Sequence, residues 1–329
     1  MTSEFIPGPR NAITDVPGIL VGQAEDEGLQ TGVTVLTCPD SVAGAVDVRG
    51  GGPGTRETEV LNPENLVRKA HAIVLTGGAV FGLAAADAVT WALSNKDVGL
   101  KLTPGARALP IVPCAVLHDL SLGTDKAWGA APPYASLANE AVEALTDTVQ
   151  QGAVGAGIGA RAGIERGGIG TASLALPGSL TAGALIASNP VGSVRLGDDG
   201  CFLAWAHEIG DEFGGRRPGP EASVPEIPDF RKITGYASGN TTIGVVATTA
   251  TLAASECKRL AIMARDGIAR AVSPAHTHFD GDTLFAVSTG TADIGDDNRE
   301  FIVAQIGAVL ADCVARAIAK GVFHAEERR

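Results

Sequence analysis

The chain has 329 residues, a formal net charge of −12 and 43 glycines, and 45% of its residues are hydrophobic although only 4% are aromatic. An acidic balance argues against a nucleic-acid backbone or an anionic membrane surface as partner, and a core so poor in rings has to be built from Ala, Val, Leu and Ile. The five cysteines (Cys38, Cys114, Cys201, Cys257 and Cys313) are odd in number and form no C-x-x-C pair, as expected of small core residues in a reducing compartment.

Residues 1–10 hold no basic-then-apolar leader, and no stretch reads as apolar enough to span a bilayer, so the expected location is the cytoplasm. Residues 11–22 read as an opening turn and short strand, and 32–38 and 43–48 as two further strands. A glycine-rich loop follows, Arg49 to Thr58, whose amides suit either an anion cradle or a wide surface turn; no GK[ST] ending makes it a phosphate loop. Residues 71–76 form a strand, and Gly77-Gly78 leads into an Ala-rich helix over 79–95. The glycine spacing there is not G-x-G-x-x-G, so close helix–sheet packing explains it better than a dinucleotide site.

Residues 109–117 read as extended, ending at His118-Asp119, and 134–151 as a helix with one apolar side. A second glycine-rich loop, 152–170, carries Arg161, Glu165 and Arg166. Strands over 171–176 and 181–188 pair and close at Asn189-Pro190, where the asparagine is either a turn former or a side-chain amide held in one direction, as an oxyanion donor requires.

A polar, proline-studded loop, 216–238, then leads to Gly239-Asn240-Thr241-Thr242-Ile243 and a β-branched run typical of a buried strand. A threonine at the seam of a long loop and a core strand either starts the strand or, if the chain is cut before it, becomes an N-terminal nucleophile with its own amine as base. That amine titrates near neutral pH, where a general base works best. Residues 253–272 read as one amphipathic helix and 283–289 as a strand. The last helix is expected from a capping-box pattern, Asp297 with Glu300. With strands adjacent in pairs and helices between them, the fold is expected to be a layered α/β (α+β) sandwich with mixed pairing, forming a single domain over 1–329.

Asp280-Gly281-Asp282 sets two carboxylates on one turn, either solvated or able to orient an amine and a hydroxyl. His276, His278 and Asp280 spell H-x-H-x-D, a metal-binding alternative that lacks the further histidines of a two-metal hydrolase. G-x-S-x-G does not occur.

Taken together, GGGPGTRET (50–58), LTGGAVFGL (75–83), SNPVG (188–192), NTTI (240–243) and HTHFDGDTLFA (276–286) resemble the self-processing L-aminopeptidase/D-esterase family, which includes β-peptidyl aminopeptidases and nylon-oligomer hydrolases. The resemblance covers nearly the whole chain. It implies an αββα sandwich of the N-terminal-nucleophile type, cut between Asn240 and Thr241 into 1–240 and 241–329. It implies Thr241 as nucleophile, Asn189 as oxyanion donor, and Asp280 and Asp282 as the acids that position the nucleophile. Small peptides or oligo-amides are the implied substrates, with no cofactor and no metal, and a homo-oligomer, often a tetramer, the implied assembly. An acyltransferase on the same scaffold is the alternative from another class. Two positions depart from the family: His118 stands where a tyrosine is common, and Ile164 where the nylon-oligomer enzyme has a catalytic lysine. Arg161 or Arg166 could supply positive charge there but not a base.

Overall fold

The computed structural model describes residues 5–121, 126–197, 200–223, 225–227 and 240–327, without the side chains of 39 and 40. Most of the loop expected over 216–238 therefore lies outside the described residues.

The chain runs through β1 (Leu20–Asp26), β2 (Thr31–Val48), β3 (Thr55–Arg56), β4 (Lys69–Thr76), α1 (Ala84–Asn95), β5 (Cys114–Val116) and α2 (Tyr134–Glu143). Two hairpins follow, β6 (Arg161–Ala162) with β7 (Glu165–Arg166) and β8 (Gly168–Leu176) with β9 (Leu180–Asn189), then a small ribbon of β10 (Arg195–Leu196) and β11 (Cys201–Phe202). The C-terminal part holds β12 (Thr241–Ala250), α3 (Ala254–Ala264), α4 (Asp266–Ala271), β13 (Thr283–Ala292) and α5 (Arg299–Glu327). Among the described residues nine strands make one mixed sheet in the order β3-β5-β4-β2-β13-β12-β9-β8, with β1 added to β2.

Side chains alternate across each strand, and here the alternation sorts them into three cores. Val33, Val35 and Val74 face Val89 of α1 and Leu137 of α2. Their neighbours Leu36 and Leu75 share a central core with Leu185, Val245 and Phe285 from the far half of the same sheet. On the opposite side Ile186, Val246 and Leu284 pack on Leu260, Leu310 and Ile318 of α3 and α5. The sheet thus curls over itself between two helical layers, the expected αββα arrangement made from one continuous sheet. β12 lies in its middle, parallel to β13 and antiparallel to β9, and is buried along all its length. Burial on both faces is why its sequence is rich in β-branched residues and carries no charge.

Several element expectations need correction. The strands expected at 32–38 and 43–48 are one strand, β2, whose pairing with β4 shifts register between Thr37 and Val42, so a bulge replaces the expected turn. The helix over 79–95 opens with a tighter 3-10 turn, Ala79–Leu83. That over 134–151 stops at Glu143, because Thr146 exchanges backbone hydrogen bonds with Val21 and extends the chain along β1. The helix over 253–272 is two, α3 and α4. α5 begins at Arg299, two residues past the expected Asp297 cap. α5 is also long and apolar enough to cross a membrane, contrary to the reading that no stretch is, but two thirds of its apolar window is buried in the protein. All five cysteines are buried.

Candidate active site

Thr241 is the first residue of β12, and its backbone pairs with Asn189, the last residue of β9. Both are buried, at 4% and 2% exposure. The peptide linking Asn240 to Thr241 is held from two sides. Its carbonyl oxygen accepts the Gly281 N–H at 2.9 Å and the Thr241 Oγ1 hydroxyl at 2.5 Å, and Asn240 bridges Asp280.

Both acids of the Asp280-Gly281-Asp282 turn are buried, which rules out the solvated reading. The Asp280 carboxylate accepts Thr277 N (2.9 Å), Thr277 Oγ1 (2.5 Å) and Val191 N (3.1 Å), closing the turn and tying it to the segment after Asn189. Burial pushes the Asp280 carboxyl up, the like charge of Asp282 adds to this, and the bonds from Thr277 and Val191 oppose it. Asp282 Oδ1 accepts the Thr242 N–H at 2.7 Å, one residue from Thr241. Its Oδ2 lies 2.7 Å from His276 Nδ1.

The first glycine-rich loop is a buttress, neither an anion cradle nor a free surface turn. Arg49 N and Gly50 N donate to Asp282 O, Gly51 N to Thr277 O and Gly52 N to Asp280 O. A β-carbon at residue 50 would sit 2.1 Å from the Asp280 carbonyl oxygen, so only glycine allows this approach. Gly281 is equally confined: a β-carbon there would come within 2.8 Å of Thr241 Oγ1.

Asn189 is oriented by the second glycine-rich loop. Its Oδ1 accepts the Arg161 N–H at 2.8 Å, which leaves Nδ2 as the donor, 3.5 Å from His118 O. Arg161 therefore reaches the site through its backbone, with its side chain exposed. The Arg166 guanidinium instead bonds Gln30. His118 lines a cleft of about 440 Å³ that reaches Thr241 and whose apolar wall includes Pro53, Val80, Leu83, Val116 and Leu117. Ile164 is 92% exposed on the β6–β7 turn. There it borders a second cavity of about 460 Å³, away from Thr241, whose Arg195 is paired with Glu326 and lies over the Phe202 ring.

The H-x-H-x-D run does not converge on a point. His276 Nδ1 faces Asp282, the Asp280 carboxylate takes donors from Thr277 and Val191, and the His278 ring packs on Phe279. Among the described residues no three His, Cys, Asp or Glu side chains are grouped to hold a metal ion. Sequence reasoning missed the parts played by Thr277, Gly281 and the Val191 amide. It also missed Asp119, whose carboxylate accepts Thr31 Oγ1 (2.6 Å) and Gly78 N (2.9 Å) and so holds the left-handed Gly78 (φ +85°) before the turn that walls the cleft.

The family model for peptidase family S58 matches residues 11–329. An uncharacterized aminopeptidase of Mycobacterium leprae is 43% identical over 98% of this chain and 92% of its own length. A 6-aminohexanoate-oligomer endohydrolase of Kocuria sp. is 32% identical over 85% and 75%. Among solved structures, a β-aminopeptidase of Burkholderia sp. superposes with a TM-score of 0.70 at 25% identity, covering 96% of this chain and 87% of that one. The L-aminopeptidase D-Ala-esterase/amidase of Ochrobactrum anthropi, described as a variant of the Ntn hydrolase fold, has a TM-score of 0.66 at 23% identity over 96% and 86%. The chain belongs to peptidase family S58, and its chemistry is amide hydrolysis.

Proposed function

We propose that the chain cuts itself between Asn240 and Thr241 and that the freed Thr241 is the nucleophile of an aminopeptidase or oligo-amide hydrolase. The observation that carries this reading is the held Asn240–Thr241 peptide, with the Thr241 hydroxyl on its carbonyl oxygen at the buried head of β12 and a cleft opening beside it. In the cut, Thr241 Oγ1 adds to the Asn240 carbonyl carbon, and the developing oxyanion keeps the Gly281 N–H as donor. The C–N bond breaks, the nitrogen takes the hydroxyl proton, and water cleaves the resulting ester into an Asn240 carboxylate and a free Thr241 hydroxyl.

In turnover the new α-amine takes the Oγ1 proton as the hydroxyl attacks a substrate amide. Asn189 Nδ2, aimed by the Arg161 amide, faces the forming oxyanion. The substrate amine leaves with the proton, and water releases the acyl group. The wall of Pro53, Val80, Leu83, Val116 and Leu117 suits an acyl group with an apolar chain. Peptide N-termini, β-peptides and 6-aminohexanoate oligomers, the substrates in the relatives' names, share this amide chemistry. The reading includes assembly as a homo-oligomer, with four copies favoured, which sedimentation of the purified protein tests.

Intact mass and N-terminal sequencing test the cut directly. Two fragments, the smaller beginning Thr-Thr-Ile-Gly, are expected; one uncut chain, stable over days, would overturn the reading. Acyl transfer to an added amine that outruns hydrolysis would favour the acyltransferase alternative.

A further inference from the structure

His276 stands in the H-x-H-x-D run, but its geometry serves the nucleophile strand. Its φ of +54° lies in the left-handed region that a β-carbon disfavours, so the surrounding turn holds it there. Its Nδ1 reaches Asp282 Oδ2 at 2.7 Å, and the other oxygen of that carboxylate accepts the Thr242 amide at 2.7 Å. A ring nitrogen facing a carboxylate carries the hydrogen, so Nδ1–H donates. The imidazole is 20% exposed and the Asp282 side chain 3%.

We propose that His276 is a positioning residue for turnover: by clamping Asp282 it fixes the Thr242 amide and, through it, the terminal residue Thr241. The inference rests on the reading of Thr241 as N-terminal nucleophile. Before the cut, Thr241 is also anchored from upstream, because Asn240 is covalently attached and held by Gly281 N and Asp280. The cut removes that anchor. Thr241 is then a strand terminus held by its pairing with Asn189 and by the Thr242–Asp282 bond. A carboxylate gripped at both oxygens cannot swing about its last torsion, whereas one bonded to Thr242 alone can. The His276 bond therefore matters more to the free N-terminus than to the uncut chain.

The test compares His276→Asn, His276→Asp and His276→Gly. All three tolerate a positive φ, which separates the side chain from backbone strain. Asparagine can donate to Asp282 from about the place of Nδ1, aspartate of the same shape cannot, and glycine offers nothing. Each protein is assayed for its cut by mass and for kcat and KM on alanyl p-nitroanilide, β-alanyl p-nitroanilide and the linear 6-aminohexanoate dimer, using whichever probe the cut wild type turns over fastest. The aspartate and glycine variants are expected to be cut like wild type yet to lose about tenfold or more in kcat at unchanged KM, as for a nucleophile moved by a fraction of an ångström. The asparagine variant is expected to keep most of the wild-type kcat.

Wild-type kcat in His276→Asp, a loss confined to KM, equal losses in the isosteric Asn and Asp variants, or variants that fold but remain uncut would each overturn the proposal. If the glycine variant fails to fold, the Asn and Asp pair decides. An uncut wild type would instead sink the reading of Thr241 itself, so the two failures are distinguishable.

Discussion

Thr241·Asn189 and Val245·Leu185 are two rungs of one antiparallel ladder, four residues apart and on the same side of the sheet. Both are buried. At the inner rung both side chains belong to the apolar central core, and any well-filling aliphatic pair would serve. At the head, the groups around the Asn240–Thr241 peptide are given directions by neighbours: Asn189 by the Arg161 amide, the Asn240–Thr241 peptide by Gly281, and the Thr242 amide by Asp282. Continuous packing in the inner rung makes β9 and β12 rigid, and rigidity is what lets the head hold a nucleophile and a donor in register. The inner rung should therefore govern stability and the head reactivity, with little crossover.

The largest effect falls on the head. Thr241→Ala removes the attacking oxygen of both the cut and turnover, so a single full-length chain without amidase activity is expected, with its melting temperature near that of wild type. Mass spectrometry and an amide assay on the same sample check this. A cut, active variant would break the comparison at its root.

The inner rung should respond in the opposite way. Leu185→Ala leaves a cavity in the central core and is expected to destabilise the fold by about 2–5 kcal/mol in a denaturant titration, while the surviving folded enzyme keeps its kcat. Asn189→Ala, on the same strand, should lower kcat by about 10²–10³-fold, the usual cost of losing one oxyanion donor, with a much smaller change in stability. If the two substitutions exchanged their effects, the division between the rungs would be wrong.

The same division explains what was legible in the sequence. β12 and its neighbours could be read because burial on two faces favours apolar, β-branched-rich runs; a layered sandwich followed from such runs between helices, whereas the αββα order came from the family resemblance. The continuity of β2 could not, because Pro39-Asp40 resembles a turn and only the pairing with β4 carries the strand through it. Likewise the apolar spacing of 134–151 continues past Glu143, but Thr146 is taken by the edge of β1. At the site, side-chain candidates were visible by type, whereas the amides of Arg161, Val191 and Gly281 were not, because every residue but proline has one. His276 was misleading for a related reason: alternating His and Asp suggest a shared metal, and only the left-handed turn at 276 shows that the ring is aimed at Asp282.

Asp119 sits between these two kinds of rung, buried like a core residue yet bonded like a site residue, and it predicts the smallest effect. Burial pushes its carboxyl up, against the hydrogen bonds from Thr31 and Gly78 and the nearby charges of Lys126 and His118. The folded chain therefore holds a proton that the unfolded chain has already lost. The Asp119 contribution to stability is complete below the ordinary carboxylate range and is lost as pH rises through its raised folded value. Other carboxylates have the opposite sign; Glu256, for example, is held down by its bond to Arg299. Only a difference between two proteins therefore isolates Asp119. Asp119→Asn keeps the size of the side chain and an acceptor for Gly78, and Thr31 can turn its hydroxyl to accept, so stability is expected within about 1 kcal/mol of wild type. Subtracting the variant's unfolding free energy from that of wild type, in urea titrations from about pH 4 to 8, should give a difference that falls as pH rises. A difference that rises would mean the carboxylate is stabilised where it sits, and Asp119 would then belong with the charged groups of the head rather than with the core.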